Sequence, residues 1–419
     1  MKGDRGVARR AKPGGFGAVP LGFAADAPPC GRGNPMSAQQ RDFSDFRSVV
    51  IVAGEASADL HGSNLVKAIK RLDPDIVFCG IGGKKMQEAG VQILFSSSDM
   101  AVVGLTEVFS KLHTITRAFR TLKSILKNDR PDLLILIDYP GFNIHMAKIA
   151  KRFEIPVLYY ISPQVWAWRR RRVKKISRRV DRMAVILPFE EAFYAERGMK
   201  VDFVGHPLLD ALEYAKSALH SANANLPHPV VGILPGSRKE EITNLLPVMV
   251  KSAEIMSQRY PDICCLLPLA PTIENEFVQS LVEESPVKIK ICQESIYETL
   301  GVCDVALVAS GTATLETAVM GVPMVIVYRV SPISYWVGRL VVRVPYIGLG
   351  NLVAGEKVVP ELIQDEVTPE RLASEALNIL DDEKVRANMI EKLRGIKERL
   401  GRRGASERTA KMALEMMAE

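Results

Sequence analysis

Ser48-Val49-Val50-Ile51-Val52-Ala53-Gly54-Glu55-Ala56-Ser57-Ala58-Asp59-Leu60-His61-Gly62 is an apolar run that stops at a glycine and passes into small and polar residues. Such a run suits a parallel strand covered on both faces, with a tight turn into a helix behind it. The same rhythm recurs downstream. It predicts strands at 76–79, 133–137, 157–161, 183–186 and 201–204, with amphipathic helix-length stretches between them. Around 208–229 the pattern dissolves into Ala, Ser, Asn and Pro, as a linker would. It restarts with strands expected at 230–234, 263–267, 287–291, 305–308 and 324–327. From Thr368 the chain reads as two or three polar-faced helices without a strand. Two α/β units of similar size joined by a linker make a cleft enzyme the default architecture.

The 419 residues are 47% hydrophobic, 25% charged and 6% aromatic. These values exclude collagen-like, coiled-coil and wholly disordered classes. The longest uninterrupted apolar run, 318–328, holds 11 residues with a Gly and a Pro. No segment reaches the ~18 residues of a spanning helix. Residues 1–46, with eight Gly and five Pro, read as a disordered extension, and Met36 is a candidate start. The net charge of +7 is uneven. Residues 1–46 carry +3 and residues 168–182 carry +8, which leaves −4 for everything else. One cationic site therefore stands on a mildly acidic body. The six cysteines show no CxxC pair and no zinc-finger spacing. They read as reduced thiols, with no disulfide and no structural metal.

In open α/β sheets ligands bind beyond the carboxyl ends of the strands, so the residues after each strand carry the candidates. Gly54, Glu55, Ser57 and Asp59 follow the first strand. They form either an anion seat or a helix cap made by Ser57 or Asp59. Asp138 closes the strand at 133–137, where it could accept a proton from a hydroxyl or simply cap the next helix. Pro235-Gly236-Ser237-Arg238 couples a turn and a helix start to a guanidinium, a seat for a diphosphate that is neither a Walker A loop nor GxGxxG. Ser310, Gly311 and Thr312 form a second polar turn, and Glu316 lies one helical turn on, placed for a ribose diol.

Two segments could face a membrane. In 105–126, Val108, Phe109, Leu112 and Ile115 belong to an apolar stripe among cations. After Trp166 and Trp168, Arg169, Arg170, Arg171 and Arg172 open the basic run. Val173, Ile176, Val180 and Met183 keep helical spacing there, so the run reads as a helix with a cationic face. The 105–126 stripe can equally pack inside the protein, the commoner fate of such a helix, and the basic run can be a solvated helix face. The basic run also admits nucleic-acid binding, though no RRM, KH or helix-turn-helix pattern accompanies it.

Six strings occur in a fixed order. They are Gly54-Glu55-Ala56-Ser57-Ala58-Asp59, Ser162-Pro163-Gln164-Val165-Trp166-Ala167-Trp168-Arg169, Leu187-Pro188-Phe189-Glu190, Phe203-Val204-Gly205-His206, Leu234-Pro235-Gly236-Ser237-Arg238 and Ser310-Gly311-Thr312-Ala313-Thr314-Leu315-Glu316. From about Val49 to the C-terminus the chain resembles the bacterial lipid-A-disaccharide synthases. The resemblance implies a GT-B fold, two Rossmann-like doubly wound domains facing a cleft. On this sequence they would span 47–208 for the acceptor and 228–368 for the UDP-sugar, with C-terminal helices at 369–419.

It implies inverting, metal- and cofactor-independent transfer from UDP-2,3-diacylglucosamine to 2,3-diacylglucosamine 1-phosphate. The product would be a β-1,6 disaccharide, and Asp138 would be the base. Gly236, Ser237, Arg238, Ser310, Gly311, Thr312, Glu316 and Asn351 would serve UDP. Gly54, Glu55, Ser57 and Asp59 would serve the acceptor. It further implies peripheral attachment to the cytoplasmic face of the inner membrane, a homodimer with swapped C-terminal segments, and no nucleic acid. A UDP-sugar 2-epimerase on the same architecture is the competing enzyme reading. Ala58 departs from the family, many members of which carry Gly there.

Overall fold

Parallel neighbours cannot be joined by a tight turn, so each strand must be followed by a crossover that returns the chain to the same end of the sheet. The computed structural model describes residues 47–100, 105–168, 170–216, 226–270, 273–293, 295–342 and 344–419. The readings made for residues 1–46 and for Arg169 lie outside them, as do the side chains of Val108 and Phe109.

The first sheet contains β1 (Ser48–Ala53), β2 (Val77–Gly82), β3 (Val91–Ser96), β4 (Leu133–Ile137), β5 (Val157–Tyr160), β6 (Arg182–Val185) and β7 (Asp202–Phe203). Their order is β3-β2-β1-β4-β5-β6-β7. The second contains β8 (Val230–Leu234), β9 (Cys264–Pro268), β10 (Ile289–Cys292), β11 (Val305–Ala309), β12 (Met324–Tyr328) and β13 (Glu361–Ile363), ordered β10-β9-β8-β11-β12-β13. All the strand pairs are parallel. In each sheet the order reverses direction beside the first strand, between β1 and β4 and between β8 and β11. These are the switch points at which a doubly wound sheet opens a crevice.

β1 shows why its sequence is apolar throughout. Val49, Ile51 and Ala53 belong to one core cluster and Val50 and Val52 to the other, so both faces are covered. Removing a fully buried side chain such as Ile51 from water contributes roughly 1.5–3 kcal/mol.

Several expectations differ from the structure at the margins. β3 and β13 were not expected. β3 is a half-exposed edge strand broken by Gln92, and β13 is three residues behind Pro360, so neither makes a long apolar run. The supposed linker begins with a helix, Leu208–Lys216, whose Leu208, Leu209 and Leu212 are buried. The basic run is not one helix. It forms a 3-10 turn, Arg170–Arg172, and a short helix, Val173–Ile176, before the chain turns into β6. Val173, Ile176, Val180 and Met183 are all buried, but three successive pieces of backbone deliver them.

The tail forms three helices, Pro369–Asp381, Glu383–Arg399 and Ala405–Ala418. The last packs on the helix Ala56–Leu72 of the first sheet. The Phe203–His206 motif receives it: Arg408 donates to Val204 O from Nε at 3.0 Å and Nη2 at 2.7 Å, and His206 N donates to Leu400 O at 3.0 Å. Gly205, at φ +76, lies where a Cβ would come within 2.7 Å of Arg402 O, so only glycine fits this crossing. No described helix is long and apolar enough to cross a membrane.

Candidate functional site

The polar residues singled out after β1, β4, β8 and β11 stand at the two switch points. At the first, Asp138 leaves β4 with φ +44 and Tyr139 follows with φ +45. Two consecutive non-glycine residues in the left-handed region cost of order 1–3 kcal/mol each, so their surroundings must hold them there. Asn143, fully buried, donates from Nδ2 to Asp138 O at 2.7 Å and to Ile137 O at 3.1 Å. The buried Tyr159 hydroxyl donates to the same Asp138 carbonyl. Asp138 N in turn donates to Ile161 O at 3.3 Å. Pro140 then starts the helix Pro140–Arg152.

The Asp138 carboxyl is pushed up to about 7, chiefly by burial and then by the negative charge of Glu55, against a smaller downward pull from the Tyr139 amide. A carboxylate held near neutral pH is poised to take and release a proton. Glu55 and Ser57 are exposed at the start of the helix Ala56–Leu72, available to a ligand. Gly54 has a different duty, because a Cβ there would lie 2.4 Å from the Tyr139 ring. Ala58 is 2% exposed and its methyl belongs to the core rather than to the cleft, so the departure from glycine is absorbed by packing.

Asp59 does not face a ligand. It is 6% exposed, and its carboxylate accepts the amides of Gly83 at 2.6 Å, Lys85 at 3.1 Å and Met86 at 3.1 Å. It holds the start of the helix Lys84–Glu88, a cap supplied from outside that helix.

At the second switch point the two turns differ. The Gly236 turn, φ +114, is closed from within. The Glu241 carboxylate accepts from Ser237 N at 3.1 Å and Arg238 N at 3.3 Å, and lies 3.4 Å from Arg238 Nη1. These amides are therefore not the bare anion seat expected of Gly236 and Ser237, since a capping box consumes them. The Arg238 guanidinium remains exposed and can reach a ligand. By contrast, the helix Thr312–Met320 starts behind Gly311 with no side-chain cap, and Gly311 and Thr312 are exposed. Aligned N–H groups and the helix dipole favour an anion at that end. The Ser310 hydroxyl is turned to Ile347 O at 3.2 Å.

Glu316 is largely buried. Tyr297 donates its hydroxyl to Glu316 Oε1 at 3.0 Å, and burial raises the Glu316 carboxyl despite that bond. Tyr297 also lines a cleft of about 920 Å³ with Leu60, Asn64 and Lys67 of the first helix. Asn351 is a correction. It is fully buried, with Nδ2 donating to Val359 O and Glu361 Oε1 and Oδ1 accepting from Val358 N and Val359 N. Its side chain braces the loop before β13 and has nothing left for a phosphate.

Beside Asp138, the 162–168 and 187–190 motifs meet at one group that sequence reasoning did not single out. The Glu190 carboxylate, 1% exposed, accepts from Ser162 Oγ at 2.5 Å and Trp166 Nε1 at 3.2 Å on one oxygen. Its other oxygen accepts from Ile186 N at 3.2 Å and Leu187 N at 3.0 Å. Trp166 stacks edge-on to Phe189, with centroids 5.1 Å apart. Of the membrane candidates, Leu112 is 51% exposed and Ile115 partly buried, while Arg170 and Arg171 are exposed and Arg172 partly so.

A sequence model of the family described as Lipid-A-disaccharide synthetase matches residues 49–416. Among curated proteins, the Lipid-A-disaccharide synthase of Geobacter sulfurreducens is 50% identical over 378 residues, covering 88% of this chain and 97% of that protein. The protein of the same name from Geobacter metallireducens is 51% identical over 380 residues, covering 89% and 98%. Among solved structures, the S. aureus MnaA-UDP co-structure aligns with a TM-score of 0.64 at 14% identity, covering 89% of this chain and 98% of that one. The Calicheamicin Glycosyltransferase CalG4 aligns at 0.59 and 14% identity, covering 89% and 99%. At such identities the likeness is one of fold.

Proposed function

Because this chain belongs to the lipid-A-disaccharide synthase family of glycosyltransferases, we propose that it transfers 2,3-diacylglucosamine from UDP to 2,3-diacylglucosamine 1-phosphate by a single inverting displacement. The observation that carries the reading is Asp138, aimed from a strained turn at a switch point and titrating near neutral pH. Asp138 takes the proton of the acceptor 6-hydroxyl as that oxygen attacks the donor C1. The bond from C1 to the diphosphate oxygen breaks, and UDP leaves with the electron pair. One carboxylate suffices, because UDP needs no protonation to depart.

The uncapped start of the helix Thr312–Met320 and the Arg238 guanidinium would receive the charge of the leaving diphosphate. Glu316, oriented by Tyr297, would hold the ribose. Glu55 and Ser57 would meet the acceptor. The acceptor and donor halves correspond to residues 47–208 and 228–368, and the exposed Leu112 and the Arg170–Arg172 turn would rest on the inner face of the inner membrane. Metal and cofactor have no part in the scheme.

The test is incubation of purified protein with both acylated substrates, measuring UDP. Release that requires the acceptor phosphate supports transfer. UDP released equally well without acceptor would reject it in favour of an epimerase-type reaction.

A further inference from the structure

The 162–168 and 187–190 strings take no part in the displacement above, yet the Ser162 and Trp166 side chains of the first converge on the Glu190 carboxylate of the second. A glutamate at the third position of the helix Pro188–Ala195 that accepts the Ile186 and Leu187 amides is doing ordinary capping. Capping does not explain the other oxygen, which takes the Ser162 hydroxyl and the Trp166 indole from a different loop. Burying a carboxylate this deeply is unfavourable unless donors surround it, and here the donors come from both sides of a β5–β6 seam.

The loop so fixed lies against the site. Ile161, immediately before Ser162, has φ +62, and its carbonyl accepts the Asp138 amide at 3.3 Å. Downstream, Arg170 Nε donates to Trp166 O at 3.3 Å, so the start of the cationic turn rides on the same loop.

We propose that Glu190 is a positioning residue for the transfer reaction, its carboxylate pinning the 161–168 loop so that Asp138 on one side and Arg170 on the other are held in working geometry. This rests on the reading of Asp138 as the base. Glu190 touches no substrate and acts only through Ser162 and Trp166. A group displaced by about 1 Å from productive alignment costs on the order of 10²-fold in rate. Release of the loop therefore shows in turnover and acceptor use, and leaves the nucleotide half unaffected.

The variants are Glu190→Gln, Ser162→Ala and Trp166→Phe, read by kinetics, UDP binding and amide hydrogen exchange. Glu190→Gln is expected to lower kcat by about 10²-fold and raise the acceptor KM, with UDP affinity unchanged. Exchange at 161–170 should quicken while that of β8 and β11 stays as in the parent. Ser162→Ala and Trp166→Phe should move the same parameters in the same direction by less. Adding Ser162→Ala to Glu190→Gln should cost little more, because both break one lock.

Unchanged kcat and acceptor KM in Glu190→Gln would overturn the proposal. So would parallel loss of UDP binding and turnover, which marks general damage to the fold. If Glu190→Gln does not fold, Ser162→Ala and Trp166→Phe decide, and parent-like kinetics in both overturn it. Should the parent itself release no acceptor-dependent UDP, the transferase reading has failed. Exchange at 161–170 then still tells whether the lock exists: quickening in the variants keeps the lock, and parent-like exchange removes it.

Discussion

At the residue scale, the chemistry turns on two consecutive left-handed residues. Asp138 and Tyr139 keep that conformation because Asn143 and Tyr159 hold the Asp138 carbonyl. Asp138→Ala is expected to reduce kcat by about 10³-fold with UDP affinity nearly intact, checked by turnover and calorimetric titration. Tyr159→Phe keeps the packing and removes one tether; a fall of about tenfold in kcat is expected, smaller than that for Asp138→Ala. The base works ionised, so with its carboxyl at about 7 the acceptor-side kcat/KM should decline with one-proton slope as pH drops below 7.

Stability runs the opposite way. A carboxyl raised on folding contributes stability in full below its unfolded value, and the contribution is lost as pH rises through 7. Asp138→Asn should therefore raise the melting temperature at pH 8 and leave it little changed at pH 4, which thermal melts at the two pH values decide. Part of this was legible in the sequence: a carboxylate ending an apolar strand before Pro and Gly marks a site edge. The left-handed turn and its tethers were not, because Asn143 and Tyr159 reach Asp138 only once β4, β5 and the helix Pro140–Arg152 pack together.

At the element scale, two helix starts that look alike in the sequence behave differently. The helix Lys239–Arg259 is capped by its own Glu241, whereas Thr312–Met320 begins uncapped. Spacing announced both as anion seats. What separates them is the residue at the third helix position: Glu241 reaches back to the Ser237 and Arg238 amides, whereas Thr314 stands there in the other helix and donates to Gly311 O. Glu241→Ala should cost about 1 kcal/mol of stability through loss of the cap, measured by denaturant unfolding. The helix Leu105–Asn128 carries an exposed Leu112 that its own core does not need. Leu112→Glu should lower co-sedimentation with anionic vesicles and leave circular dichroism unchanged; undiminished sedimentation would remove this residue as an anchor.

At the scale of the whole molecule, the two sheets share one core cluster, and the chain end returns to the first sheet. Arg408 ties the returning helix to Val204, and a charged donor to a partly buried carbonyl contributes about 1.5–3 kcal/mol. Arg408→Ala should lower the melting temperature by several degrees and speed hydrogen exchange in both Ala405–Ala418 and Ala56–Leu72. Exchange faster in the tail alone would mean that the first helix does not depend on it. The Phe203–His206 motif thereby has a use that its residues did not advertise. It is the berth for a segment some two hundred positions later, and Gly205 leaves room for that backbone.

The sequence by itself determined the alternation of strand and helix, the parallel sheets and the place of Asp138, Arg238 and Glu316 after particular strands. It could do so because burial on both faces and turn chemistry are local requirements, written in consecutive residues. Only the tertiary structure decided that Asp59 and Asn351 are spent inside the protein and that Glu190 gathers two distant motifs. Those outcomes depend on which donor a buried polar group meets across the fold, and that partner is fixed by packing rather than by neighbours in the chain.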